Sequence, residues 1–306
     1  MTHVLASALF DYAADRYGAT RIGPDGDFDI NKPTVLDRVE PACLSFCTGA
    51  TIPDAALGVA GAVLLCKPDA AAAVQGTTTT TLMVVENPRL VFGRLVSAFL
   101  APKAETGIHP SASIHEQAQI GANVSIGPGV VVGPDCSIGD GSVIGANVVL
   151  ERNVQVGQGC TIRAGSTLGH PGFGIEQDID GSMFQLPHVG GVILEDGVTI
   201  GSQCTVVAGT ILPTRVCQNV MTDDHVHIAH NVTVGPRSLL TACAEISGSV
   251  TIGADVWLGP NCSIMNKVKI GDRSMVGLGA VVTKSFDENT VIAGNPARAL
   301  KKRFPE

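Results

Sequence analysis

From Ile108 onward an aliphatic residue returns at every sixth position, often followed by Gly, with a small or β-branched residue four places further on. In register the chain reads IHPSAS, IHEQAQ, IGANVS, IGPGVV, VGPDCS, IGDGSV, IGANVV, LERNVQ, VGQGCT and IRAGST. The register returns in LEDGVT, IGSQCT and VVAGTI, and again from IAHNVT through VGLGAV. Two inward positions per six residues, the first and the fifth, require short strands of period two to alternate with tight turns. Gly, Asn and Asp at the intervening places tolerate the positive φ of such turns. Roughly twenty-five hexads, three to a coil, predict a stack of about eight coils spaced roughly 4.8 Å apart.

Two interruptions break this period. The stretch LGHPGFGIEQDIDGSMFQLPHVGGV (168–192) precedes LEDGVT, and LPTR (212–215) is a slip of four residues before VCQNVM. Insertions in a stacked-repeat protein fall in loops on one face, where function concentrates. Cys136, Cys160, Cys204 and Cys262 occupy the fifth, inward place, which predicts core packing for them rather than metal or redox chemistry.

Before Ile108 the period is absent. GAVLLCKP and TLMVVENP are apolar runs, and the second leads into the amphipathic RLVFGRLVSAFL, which predicts a strand, an Asn-Pro turn and a helix. The opening MTHVLASALFDYAADRYGA predicts another helix. The expected organisation is an α/β domain over 1–105 joined through APKAETG to a β domain over 106–287, with a C-terminal loop and tail over 288–306. The fold class expected is mainly β.

Composition narrows the chemistry. The 306 residues are 45% hydrophobic and 16% charged, within the globular range. With 36 glycines and only 4% aromatic residues, the core must be built from Val, Ile, Leu and Ala. A formal charge of −8 offers no basic surface for phosphate backbones, which argues against a nucleic-acid partner. No apolar run is long enough for a membrane span, and the N-terminus has no Lys/Arg region before its short apolar run, so a cytoplasmic location is expected. The nine cysteines are odd in number and scattered, unlike a secreted disulfide framework.

The candidate chemistry lies in DHVHIAHNV, residues 224–232, where three of eight histidines fall together. Val226 and Ile228 take inward places, so His227 between them points outward. His225 and His230 fall at turns of successive hexads and thus at different corners of a coil.

The order of parts resembles the UDP-3-O-acylglucosamine N-acyltransferase family. The resemblance rests on LSF at 44–46, VVENPRLVFGRL at 84–95, GIHPSASI at 107–114, GHPGFG at 169–174 and DDHVHIAHNVTVG at 223–235. It implies a left-handed parallel β-helix of triangular section, assembled as a homotrimer, which transfers an acyl group from a thioester to the amine of a nucleotide-linked amino sugar in lipid A synthesis. It also implies no permanently bound cofactor, the co-substrate being acyl-CoA or an acyl carrier protein thioester. The family's general base corresponds to His230. Its oxyanion-binding glycine corresponds to Gly248, which a count of one coil from His230 also reaches. Phe46, Phe173, Asp223, His227, Asn231 and Lys267 are then the implied substrate-binding residues.

The chain departs from the family at three places. Gly49 and Ile52 stand where the family holds uracil with Asn and Tyr, leaving Phe46 and an open choice of nucleotide. Lys267 replaces a second histidine. The ending VGLGAVVTKSFDENTVIAGNPARALKKRFPE resembles CoA-dependent sugar acetyltransferases of the same fold, which implies donor contacts from Gly277, Gly279, Asn295, Pro296 and Arg298. An acetyl-CoA-dependent N-acetyltransferase of an O-antigen or capsule sugar is therefore an alternative. The spacing of His225 and His230, with His188 in the irregular loop, also resembles the zinc-binding pattern of γ-class carbonic anhydrases. A non-catalytic scaffold is a further class.

Overall fold

The computed structural model describes residues 3–24, 26–74 and 78–304, and the chain forms two compact units, Met1–Lys103 and Ala104–Glu306. Residues 305 and 306 of the expected tail lie outside the described residues.

In the first unit the strands Cys43–Phe46, Val63–Cys66 and Thr81–Val84 run parallel at the centre of a five-stranded sheet, with Thr20–Ile22 antiparallel at one edge and Lys32–Pro33 parallel at the other. The runs VLLC and TLMV are apolar throughout because both faces are covered. Leu44, Val63, Leu65 and Met83 pack toward the helices Ala6–Tyr17 and Pro88–Leu95, while Leu64, Cys66, Leu82 and Val84 face the opposite layer. The helix after the Asn-Pro turn begins as the sequence predicts. Asn87 caps it by accepting the Leu90 N–H at 3.1 Å, and Pro88 takes the first turn, where no N–H is needed. The first helix ends at Gly18, whose left-handed φ of 64° returns its N–H to the carbonyls of Ala13 and Ala14.

The second unit is a left-handed parallel β-helix of three sheets with eight, nine and eleven strands. The nine-stranded sheet gives nine coils, one more than the hexad count suggests. The register of the helix follows the repeat: Ile126 lies beside Ile144 in the eleven-stranded sheet, and Val132 beside Leu150 in the nine-stranded one, each 18 residues on. Across the long interruption Ile162 pairs with Ile200, 38 on, and across the short one Thr205 pairs with His227, 22 on. The helix therefore absorbs 20 and then four extra residues without losing a coil. The long insertion is tied to the turn that leads into the short one: Val189 donates to the Thr210 carbonyl at 2.9 Å, and Gly190 to that of Gly209 at 2.8 Å.

First-place aliphatics such as Ile144, Ile162 and Ile200 are fully buried in one continuous core. Fifth places take Val, Ala, Cys or Ser. Buried Ser142, Ser166 and Ser238 satisfy both hydroxyl roles, each donating to a carbonyl of the next coil at 2.7–2.9 Å and accepting an amide from it at 3.0–3.1 Å. The four inward cysteines fill the same niche, and burial pushes the Cys262 thiol up to about 12. Corner residues adopt φ near +60°, among them Asn123, Asp135, Asn147, His225, Asn231 and Lys267. The segment expected as loop and tail is more regular than that: Thr290–Ala293 and Arg298–Lys302 form an antiparallel hairpin that extends the eleven-stranded sheet.

Candidate active site

His230 sits at the corner between the strands His227–Ile228 and Thr233–Val234, half-buried in a cleft of about 440 Å³. His170, Gly172 and Phe173 of the long insertion line one side of this cleft, and His227, Glu245, Ser247 and Gly248 line the other.

The imidazole of His230 is held by one residue. Its Nδ1 lies 3.1 Å from Asn231 Oδ1. That oxygen also accepts the Thr210 backbone N–H at 3.2 Å and its hydroxyl at 2.6 Å, while Asn231 Nδ2 donates to the Leu212 carbonyl at 3.0 Å. The amide orientation is thus fixed by backbone groups on both sides. An oxygen facing Nδ1 requires the ring to carry its proton there, so the Nε2 lone pair is free. The four-residue insertion and the turn just before it supply Leu212 and Thr210, which lock the residue that orients His230.

Nε2 points at the next coil, where Gly248 lies. A Cβ on Gly248 would sit 2.5 Å from Nε2 and 2.6 Å from Cε1, so only a residue without a side chain leaves the ring where it is. Among the described residues the Gly248 N–H has no hydrogen-bond acceptor, although its carbonyl takes the Lys267 N–H at 3.0 Å. Some equivalent turn amides are closed, those of Ala122, Gln158, Ser202 and Ala254 each donating to an Asp Oδ1 on the next coil, while others, such as those of Ala146 and Ala242, have no acceptor among the described residues. Above Gly248 that place is Asn266, and the amide stays open. A free base and a free donor on adjacent coils are what general-base addition to a carbonyl requires.

His227 points outward, as the period predicts, with Nδ1 at 2.6 Å from Thr205 Oγ1. Burial holds its pKa below the ordinary histidine value, opposed by Glu245 on the adjacent strand and reinforced by His170. The folded ring therefore resists a proton that the unfolded chain accepts near pH 6.5. Stability is full above that pH and falls as the pH drops below it. His227→Gln is expected to flatten this acid-side decline in urea unfolding midpoints measured between about pH 7 and pH 5.

The other expected residues are dispersed. Phe173 is 88% exposed at the cleft mouth. Asp223 and Gly277 occupy equivalent places on a different corner column, and Gly279 follows there with φ +62°. Lys267 stands two coils beyond Asn231 in the same column and does not line the cleft. Asn295 and Pro296 form the tip of the C-terminal hairpin, and Arg298 begins its last strand, its guanidinium donating to the Ala297 carbonyl at 2.9 Å. Phe46 belongs to the first unit, its ring packed at a tilt against that of Phe92 with centroids 4.7 Å apart. There Ile52 is buried and Gly49 lies in the turn after the strand. His225 and His230 are on separate corners, and among the described residues no group of three His, Cys, Asp or Glu could hold a metal ion.

Three cleft residues are absent from the sequence expectations, His170, Glu245 and Ser247, and His188, expected only as a metal ligand, packs against the base instead. The His188 ring meets that of His230 edge to face at 5.3 Å. Its Nδ1 is 2.9 Å from the Leu186 carbonyl, which fixes the proton there and leaves a buried Nε2 without a partner against Gly172.

Asn231→Gly, which keeps the left-handed corner but removes the amide, is expected to lower kcat/KM about tenfold or more by releasing the ring. Rates measured beside the melting temperature separate this loss from unfolding.

Comparison with known proteins fits this geometry. Family models for the bacterial transferase hexapeptide (six repeats) match residues 135–170 and 249–284, and one for the hexapeptide repeat of succinyl-transferase matches 112–152. Chloramphenicol acetyltransferase from Escherichia coli is 42% identical over 60 residues, which is 20% of this chain and 29% of that protein. UDP-3-O-acylglucosamine N-acyltransferase from Delftia acidovorans is 28% identical over 291 residues, 94% of this chain and 86% of that one. Among solved structures, LpxA from Acinetobacter baumannii superposes with a TM-score of 0.57 at 28% identity, covering 64% of this chain and 74% of that one. The chloramphenicol acetyltransferases are thus matched over less than a third of their length, whereas the N-acyltransferase is matched nearly end to end. The chain carries bacterial transferase hexapeptide repeats and is similar along almost all of its length to UDP-3-O-acylglucosamine N-acyltransferase.

Proposed function

We propose that this protein is an N-acyltransferase that moves an acyl group from a thioester to the amine of a nucleotide-linked amino sugar, with His230 as general base. The observation that carries the reading is the pairing of a free His230 Nε2 with the open amide of Gly248 on the next coil. The amine nitrogen bonds to the thioester carbonyl carbon and gives its proton to Nε2. The carbonyl oxygen takes up negative charge against the Gly248 N–H. The C–S bond then breaks, and the imidazolium returns the proton to the departing thiolate. A neutral imidazole does this near neutral pH and contributes about 10²–10⁴ in rate. The chain works in this reading as a homotrimer in the cytoplasm, with no permanent cofactor, in the building of lipid A or a related surface glycan. Similarity to an N-acyltransferase over 94% of the chain supports the acceptor class.

A second version takes acetyl-CoA as donor and a different amino sugar as acceptor. It is favoured by the 42% identity to an acetyltransferase over 60 residues and by the Asn295, Pro296 and Arg298 loop at the hairpin tip. Mass spectrometry of UDP- and dTDP-linked amino sugars incubated with acetyl-CoA or with a long-chain acyl carrier protein separates the two. Amide formation with either donor supports the reading. Consumption of neither thioester overturns it.

A further inference from the structure

We propose that Glu245 is a specificity-determining residue that receives the acceptor amine as an ammonium ion and delivers it to His230. This inference rests on the reading of the cleft as an N-acyltransferase site.

Glu245 occupies an outward position on the strand Glu245–Ile246, and its backbone register places it directly beside His227 of the preceding coil. Outward neighbours on adjacent parallel strands lie about 4.8 Å apart. His230 follows His227 by three residues, and Gly248 follows Glu245 by three. The carboxylate therefore stands on the same coil as the open amide and one coil from the base. It is half-buried and is oriented by the Ser247 hydroxyl, which donates to Oε1 at 3.0 Å. Ser247 lines the same cleft, so the pair forms part of its wall.

The charge balance of the cleft gives the pair its meaning. Glu245 is the one carboxylate in the lining, and no Lys or Arg is among the lining residues. The ionisable groups facing it are His227 on the adjacent strand, His170 on the insertion and His230 at the corner. Behind the strand, inward Cys262 is held protonated by burial. A neutral imidazole cannot attract a cation over distance, and an amine in water near neutral pH is largely an ammonium. A carboxylate beside the base gathers that ammonium; its first proton passes to bulk water, and the neutral amine that remains, still oriented by the carboxylate, gives its second proton to Nε2 as it attacks. A hydroxyl acceptor has no charge and gains little from it, so Glu245 biases the cleft toward nitrogen.

Initial rates with the wild-type protein, Glu245→Gln and Glu245→Ala, over about pH 6 to 9, test this. The acceptors are amino sugars linked to UDP or dTDP, and the corresponding sugars bearing a hydroxyl in place of the amine serve as competitive inhibitors. Glu245→Gln is nearly isosteric and points away from the core, so its melting temperature is expected to match wild type. KM for the amino sugar is expected to rise about tenfold below pH 7, the size of one charge-assisted hydrogen bond, with kcat within about threefold. The difference should shrink above the pH at which the amine loses its charge, and inhibition by the hydroxyl sugars should be unchanged. An unaltered KM, or an increase equal at every pH and equal for the hydroxyl sugars, overturns the role of Glu245 while leaving His230 in place. Absence of acyl transfer by the wild-type protein to any of these acceptors overturns the N-acyltransferase reading itself, and this inference with it.

Discussion

His230→Ala is expected to lower acyl transfer at least about a hundredfold while the melting temperature stays close to wild type. The two halves of this result come from different parts of the structure. The ring lies at a corner, outside the continuous core of first- and fifth-place residues, so its loss opens no cavity among them. The chemistry, in contrast, has no substitute for it. His227 is tied through Nδ1 to Thr205, and His188 keeps its free nitrogen buried against Gly172. His170 lines the cleft, but on the insertion side rather than facing Gly248. Turnover within a few-fold of wild type in the alanine variant would mean that the proton leaves by another route, and the assignment of the base would be wrong. His230→Gln is a useful companion, because it keeps a polar group near Asn231 but offers no lone pair of suitable basicity. Both variants should be equally inactive if proton removal is what is lost.

The contrast between the cleft and the solenoid also shows which structure can be read from a linear sequence. The repeat is legible because two positions in six are buried on every coil, and one rule therefore recurs dozens of times. Handedness is not legible in the same way, since a coil of either hand buries the same positions. The helix after Asn87 was readable because cap, Pro and apolar run are adjacent in the chain. Gly248 was reachable from His230 by a count of one coil, and the same count from His227 arrives at Glu245. The regular offset thus carried a signal for Glu245 that outward polar positions elsewhere obscured. His188 had no such signal. It comes from a 20-residue insertion whose path depends on pairing with the turn at Thr210 that leads into the second insertion, and nothing in the period reports that pairing. Asn231 illustrates a third case. Its neighbour His230 drew attention by residue type, whereas the amide's role depends on where Thr210, Leu212 and Thr214 end up.

Gly248→Ala is the second change with a large expected effect, and it should separate fold from chemistry more sharply than loss of the base. The glycine does not have a positive φ, so an alanine there meets no backbone strain. What it meets is the end of the His230 side chain, at 2.5 Å from Nε2 and 2.6 Å from Cε1. Contacts that short cannot persist, and a half-buried imidazole at a corner can rotate away from them. Its rotation breaks the 3.1 Å contact with Asn231 and moves Nε2 off the amide of the next coil. A displacement of about 1 Å at a reacting atom can cost about a hundredfold in rate. The expected outcome is therefore a loss approaching that of His230→Ala with little change in melting temperature. Elsewhere in the helix the same substitution would do the reverse. At Gly133 an added Cβ would overlap the Glu151 carbonyl of the next coil, where only backbone can give way, and there stability should fall first. If Gly248→Ala kept wild-type rates, Nε2 would not need the place above this residue, and the pairing of base and amide would lose its catalytic meaning.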